Sequence, residues 1–225
     1  HICSPLLFQQ ASLKVDKNGF SYIKAQTERD AWLVQGFDHG AHRWEFIKKK
    51  RDEVFSDNQL VNLAQRHLKE LEAEDQQLLE AYSVGLNAAQ KNANWQTGDS
   101  LLLNLALGKD LDAEMLAAQA YEKQIPLSIF SGTGGASNAW AIAGESSRSG
   151  LPLLANDPHL DCRELPGLLY GSSIFLPGNT ITGFTMPGIP GIAYGRNNKL
   201  AVGLTSGHSR HAFIRPEGRI NYVFE

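Results

Sequence analysis

The stretch Gly134-Gly135-Ala136-Ser137-Asn138-Ala139-Trp140-Ala141-Ile142 places a serine where a glycine-rich loop becomes an apolar run. A serine hydroxyl is a weak nucleophile until a base stands beside it. Two arrangements supply one. The first is a Ser-His-Asp triad on a nucleophile elbow, and Gly135 to Ala139 comes within one residue of the G-x-S-x-G pattern. The elbow needs a strand before the serine and a helix after it. Here a loop precedes, and Trp140 and Ile142 alternating with alanines predict a buried strand after it. The second arrangement makes the serine the first residue of a chain, its own α-amino group (free pKa about 7.7–8.0) acting as the base. That requires cutting between Ala136 and Ser137, where Gly132, Gly134, Gly135 and Ala136 allow the backbone to strain. On spacing alone a plain loop-to-strand serine stays open beside it.

Other residues that could do chemistry have bland readings of equal standing. His159, in Asn156-Asp157-Pro158-His159, reads as a turn histidine, Ser206 as a turn serine before Gly207, and Leu160 as an apolar core residue. An unrelated serine hydrolase would use Ser137 or Ser206 with His159 and Asp157. His39 and His42 are three apart on a predicted helix, and His208 and His211 repeat the spacing, but neither pair has the glutamate of H-E-x-x-H. They read as solvated or helix-end histidines, with no metal site. Cys3 and Cys162 are too few for a disulfide framework or a closed zinc site, and whether they pair stays open.

Those residues must be positioned by elements of two textures. "LKVDKNGFSYIKA" alternates around Asp16 to Gly19, a hairpin signal. Thr27 opens "TERD", a cap for a helix through about Lys50, on which Gly36 and Gly40 strip one flank for close approach of another element. Residues 56–87 are helical, as one helix broken near 73–75 or as two. Residues 99–121 predict two short helices, with Asp99 or Ser100 as cap and Gly108 as stop. After Ile125, strand-length runs appear at 138–143, 151–155, 168–176, 180–185, 192–194 and 200–204, with turns "PGN", "MPGIPG" and "GRNNK". Helices followed by strands indicate an α+β fold. A net charge of −3 gives no nucleic-acid footprint, so the basic run at 48–51 reads as a solvated helix end. No apolar run approaches the roughly 18 residues that span a membrane.

"GFDHGAHRWEFI" (36–47), "LLEAYSVGLNAA" (78–89), "SNAW" (137–140), "LPLLANDPHL" (151–160) and "PGIPGIAYGRNNKLAVGLT" (187–205) resemble strings found in this order in the penicillin acylase (penicillin amidase) family of N-terminal nucleophile hydrolases, a resemblance that runs from about Val15 to Leu204. The resemblance implies a four-layer αββα sandwich, incomplete in this chain. It implies a largely helical α-chain-like segment with a short spacer at 1–136 and the start of a β-rich β-chain at 137–225, both in one intertwined domain. By position, Ser137 is the nucleophile and α-amine base, freed by autocatalytic cleavage of the Ala136–Ser137 bond in a zymogen. His159 falls where a side chain stands over the nucleophile, the backbone N–H of Ser206 is an oxyanion donor, Leu160 lines the acyl pocket, and Asn138 and Trp140 support the strand.

The implied activity is hydrolysis of a linear amide, such as a β-lactam side chain or an N-acyl-homoserine lactone, in the periplasm or outside the cell and in the setting of antibiotic biosynthesis. The partners implied are a small-molecule amide and the two chains of one precursor, with no nucleic acid and no membrane. No cofactor is implied. Calcium occurs in the family, but "SGHSRHAF" at 206–213 offers no carboxylate for it. The family's second oxyanion donor, an asparagine, and a nearby arginine would fall beyond Glu225, so the chain reads as truncated. A truncated, non-catalytic relative acting as a folding or binding unit is the alternative from another class.

Overall fold

The computed structural model describes residues 7–111, 137–160, 165–205, 212–214 and 220–222, with backbone alone at 108–111, 212–214 and 220–222. In chain order the first elements are β1 (Ser12–Val15), β2 (Ser21–Lys24), α1 (Glu28–Val54), α2 (Asn58–Glu70), α3 (Ala73–Ala89) and α4 (Thr97–Leu111). Strands follow: β3 (Ser137–Ile142), β4 (Leu153–Pro158), β5 (Tyr170–Leu176), β6 (Asn179–Met186), β7 (Ile189–Arg196), β8 (Ala201–Val202), β9 (Ala212–Ile214) and β10 (Ile220–Tyr222). The fold is therefore α+β. Two compact units result, His1–Leu105 with Glu164–Val202, and Ala106–Arg163 with Gly203–Glu225.

In the first unit the strands form one sheet in the order β1-β2-β5-β6-β7-β8, parallel only between β2 and β5. The predicted Asp16–Gly19 turn joins β1 to β2. Asp16 Oδ1 accepts from the N–H groups of Asn18 and Phe20, and Gly19 takes φ 80°. Pro177-Gly178 and Pro187-Gly188 turn the later hairpins, each glycine at positive φ. Thr27 caps α1 as its sequence predicts, Oγ1 accepting from Asp30 N–H. The 56–87 helical stretch is two helices, α2 and α3, the second starting at Ala73.

Two expectations about α4 are corrected. It begins at Thr97, ahead of the predicted cap, because Asp99 sits in its first turn and accepts from Gln96 N–H. It also runs through Gly108 instead of stopping there; a helical glycine costs only about 1 kcal/mol. The second predicted helix, toward residue 121, lies outside the described residues.

Helices α1 and α3 meet backbone to backbone. A methyl on Gly36 would overlap the Tyr82 carbonyl oxygen, one on Gly40 would come 2.8 Å from Leu86 O, and one on Gly85 would overlap the Leu33 carbonyl oxygen. The close approach expected from Gly36 and Gly40 is thus completed by Gly85 on the partner helix. Apolar side chains seal the contact: Phe46, Ile47, Tyr82, Leu86, Trp95 and Leu103 form one buried cluster. Ile23, Ala31, Val34 and Ile174 join α1 to the sheet in another.

The expectation of a solvated His39 is overturned. Its ring is fully buried, Nδ1 2.7 Å from Tyr82 Oη and Nε2 2.9 Å from Thr185 Oγ1. Gly188 N–H donates to Tyr82 Oη, and the Thr185 hydroxyl donates to Tyr170 O. One chain of donors therefore runs Gly188 N–H, Tyr82 O–H, His39 Nε2–H, Thr185 O–H to the Tyr170 carbonyl. It is complete with a neutral imidazole, since each group has one proton to give. His42 is half exposed and bonds the buried Asp38 carboxylate at 2.9 Å, which Tyr170 Oη also reaches at 3.1 Å.

In the second unit β3 pairs antiparallel with β4, Ser137 opposite Pro158 through Ile142 opposite Leu153, and β9 pairs with β10. The strand expected at 138–143 is present, but its burial is not. Trp140 is 53% exposed and Ile142 45%, and Leu153 and Leu154 are exposed as well. Among the described residues of this unit the two-stranded ribbon has no layer packed on these side chains.

Replacing Gly85 by alanine should destabilise the protein by about 2 kcal/mol or more through overpacking, although helix propensity alone favours alanine by about 1 kcal/mol. Urea unfolding checks the sign; a neutral or stabilising change would contradict the contact. Burial, with smaller contributions from Arg43 and His42, pushes the His39 imidazole from its ordinary 6.5 down to about 3. In that window the unfolded chain binds the extra proton, so stability should fall as pH drops from 6.5 toward 3, by up to about 1.4 kcal/mol per pH unit. Burial also raises the Asp38 carboxyl, which acts in the opposite sense. The difference between wild type and His39→Gln cancels it, and parallel curves for the two proteins would contradict the assignment.

Candidate active site

Ser137 opens β3, and its side chain, like those of Ala139 and Asn156, lies on one face of the β3–β4 ribbon. Asn138, Trp140 and Asp157 lie on the other. His159 follows β4 directly. Its Nε2 is 3.1 Å from Asp157 Oδ2 and 3.4 Å from Asn138 Nδ2. The ring therefore keeps company with the Asn138 face, opposite the Ser137 hydroxyl, and among the described residues no hydrogen bond joins His159 to that hydroxyl. Both bonds use the same nitrogen. With Nε2 protonated it donates to Asp157, the shorter contact, and cannot also accept from the Asn138 amide.

A third segment, 203–205, runs beside the ribbon. Asn156 Nδ2 donates to Leu204 O at 2.8 Å and to Asn138 O at 2.9 Å, and Asn156 Oδ1 accepts from Leu204 N–H at 2.9 Å. The Thr205 hydroxyl donates to the Ser137 carbonyl at 2.5 Å. The site brought together is thus Ser137, Asn138, Asn156, Asp157, His159 and Thr205. Leu160 is exposed at the end of the same hairpin. Ala136, Ser206, Cys162 and the 206–211 segment lie outside the described residues, as do Cys3, His208 and His211.

Sequence reading did not single out Asn156 or Thr205. They sit inside the quoted motifs, but their partners are 48 and 68 residues away in the chain. No periodicity reports such pairs. Among the described residues no group of three or more His, Cys, Asp or Glu side chains could hold a metal ion. No described helix is long and apolar enough to cross a membrane.

In chemical terms the arrangement offers a hydroxyl at the first position of a strand, its carbonyl tied to a neighbouring segment, and an acid–imidazole pair around the edge. Acyl-homoserine lactone acylase QuiP from Pseudomonas aeruginosa is 44% identical over 70 residues, 31% of this chain and 8% of the relative. Penicillin acylase 2 proenzyme from Pseudomonas sp. (strain SE83) is 34% identical over 109 residues, 48% of this chain and 13% of the relative. The match therefore spans a small part of either relative's length. The sequence profile of the penicillin amidase family matches residues 48–214, about three-quarters of the chain and the whole of the β3–β4 ribbon with its neighbour at 203–205. The chain belongs to the penicillin amidase family.

Proposed function

We propose that this protein is an N-terminal serine amidase that removes an acyl group from a linear amide. Cleavage of the Ala136–Ser137 bond would free the Ser137 α-amine, which takes the hydroxyl proton as Oγ attacks the carbonyl and then passes it to the departing amine. Water next adds to the Ser137 acyl ester and releases the acid, regenerating the serine. Backbone N–H groups hold the oxyanion, that of Ser206 among them. A serine, an amine and water balance every step, and the steps as written call on no cofactor. Leu160 would line the acyl pocket, whereas His159, which by family position would stand over the nucleophile, bonds Asp157 on the opposite face of the ribbon and takes no proton from Ser137. In this reading residues 1–136 and 137–225 belong to the α- and β-chains of one precursor, interleaved in a four-layer αββα sandwich and working in the periplasm or outside the cell. The two relatives' names point to acyl-homoserine lactones and penicillins as the first substrates to try.

The observation that carries the reading is the position of Ser137 at the start of β3, within the family match, with the only described imidazole of the ribbon turned to the other face. The Asp157–His159 pair would suit a Ser-His-Asp triad by chemistry, but it does not bond the serine. With an α-amine as base, the rate should rise with pH through the amine's pKa, about 7.7–8.0 when free. Replacing Ser137 by alanine in the full-length gene product should lower hydrolysis of a chromogenic acyl amide by roughly 10³-fold or more. His159→Ala should leave the ascending limb of the pH profile in place. Loss of that limb with His159→Ala, while an uncleaved chain stayed active before mutation, would favour the triad.

A further inference from the structure

A chain-terminal residue is tethered on one side only, and termini fray unless something ties them down. Ser137 stands opposite Pro158, which has no N–H, so its ladder partner offers the Ser137 carbonyl no donor. The Thr205 hydroxyl supplies one. Thr205 is itself located through Leu204, whose N–H and C=O are both paired with the Asn156 side-chain amide. The orientation of that amide is unambiguous. Two of its contacts are carbonyl oxygens, which only accept, and one is an N–H, which only donates. Gly203 leaves it room, since an added Cβ there would come 3.3 Å from Asn156 Cβ.

We propose that Asn156 and Thr205 are positioning residues for the Ser137 nucleophile. The Asn156 amide registers the 203–205 segment against β3, bonding Leu204 on one side and the Asn138 carbonyl on the other. The Thr205 hydroxyl then pins the Ser137 carbonyl. Holding that carbonyl anchors the Ser137 Cα, from which the α-amine and the Cβ that carries Oγ both extend. This rests on the amidase reading. Neither residue touches the reacting atoms, so their loss shows in kcat and spares KM.

The test uses the full-length gene product, with rates per cleaved molecule on one chromogenic acyl amide. Thr205→Val keeps the shape and removes the donor, whereas Thr205→Ser keeps the donor. Asn156→Asp keeps the shape but turns a carboxylate oxygen toward two carbonyls. Thr205→Val and Asn156→Asp should lose roughly 10- to 100-fold in kcat with KM changed by no more than about twofold, and Thr205→Ser should restore most of the rate. Thermal unfolding of each variant identifies any loss that is only misfolding; should Asn156→Asp fail to fold, the Thr205 pair decides. Wild-type kcat in Thr205→Val, or Thr205→Ser as slow as Thr205→Val, would overturn the positioning role alone. A wild-type protein neither cleaved nor active would overturn the amidase reading and this role with it.

Discussion

The first unit depends on the backbone contact of α1 with α3. With glycines at 36, 40 and 85 the two helices approach until each lies against the other's carbonyls. That approach lets Tyr82 reach from α3 across to His39 on α1, and lets both helices together face the sheet through Thr185 and Gly188. A wider spacing would break the His39–Tyr82 bond and leave one buried imidazole nitrogen and one buried phenol proton unpaired, each costing about 1–3 kcal/mol. The close crossing and the polar chain are therefore one design, in which the glycines set the distance and the hydrogen bonds depend on it.

A second device recurs in both units. A side-chain amide pairs both polar groups of a single residue's backbone, as another strand would. Gln35 does this for Gly191, tying α1 to β7, and Asn87 does it for Trp95, fixing the approach to α4. Asn156 does it for Leu204 beside the serine. Each clasp satisfies backbone groups that the helices and ladders leave over. In the first unit these clasps hold a scaffold together, whereas in the second the clasp stands one residue from the group that bonds the Ser137 carbonyl.

Much of the architecture was legible in local chemistry. The Thr27 cap, the Asp16–Gly19 turn, the break between α2 and α3 and the strand beginning at Ser137 all follow from residues within a few positions of one another. His39 was not legible because an i, i+3 histidine pair on a helix carries the pattern of a polar face. Its burial comes from Tyr82 and Thr185, 43 and 146 residues away. Trp140 failed in the opposite direction: its alternation predicts a strand correctly, but periodicity cannot say whether a second layer covers that face. At the site, residue type and order pointed to Ser137, while Asn156 and Thr205 emerged only when segments distant in sequence came together.

On the proposed function Ser137 becomes a chain terminus. Intact-mass measurement and N-terminal sequencing of the purified full-length gene product test it directly. The account predicts a fragment beginning Ser137-Asn138-Ala139-Trp140, absent when Ser137 is replaced by alanine. A protein that hydrolyses acyl amides while the Ala136–Ser137 bond stays intact would contradict it.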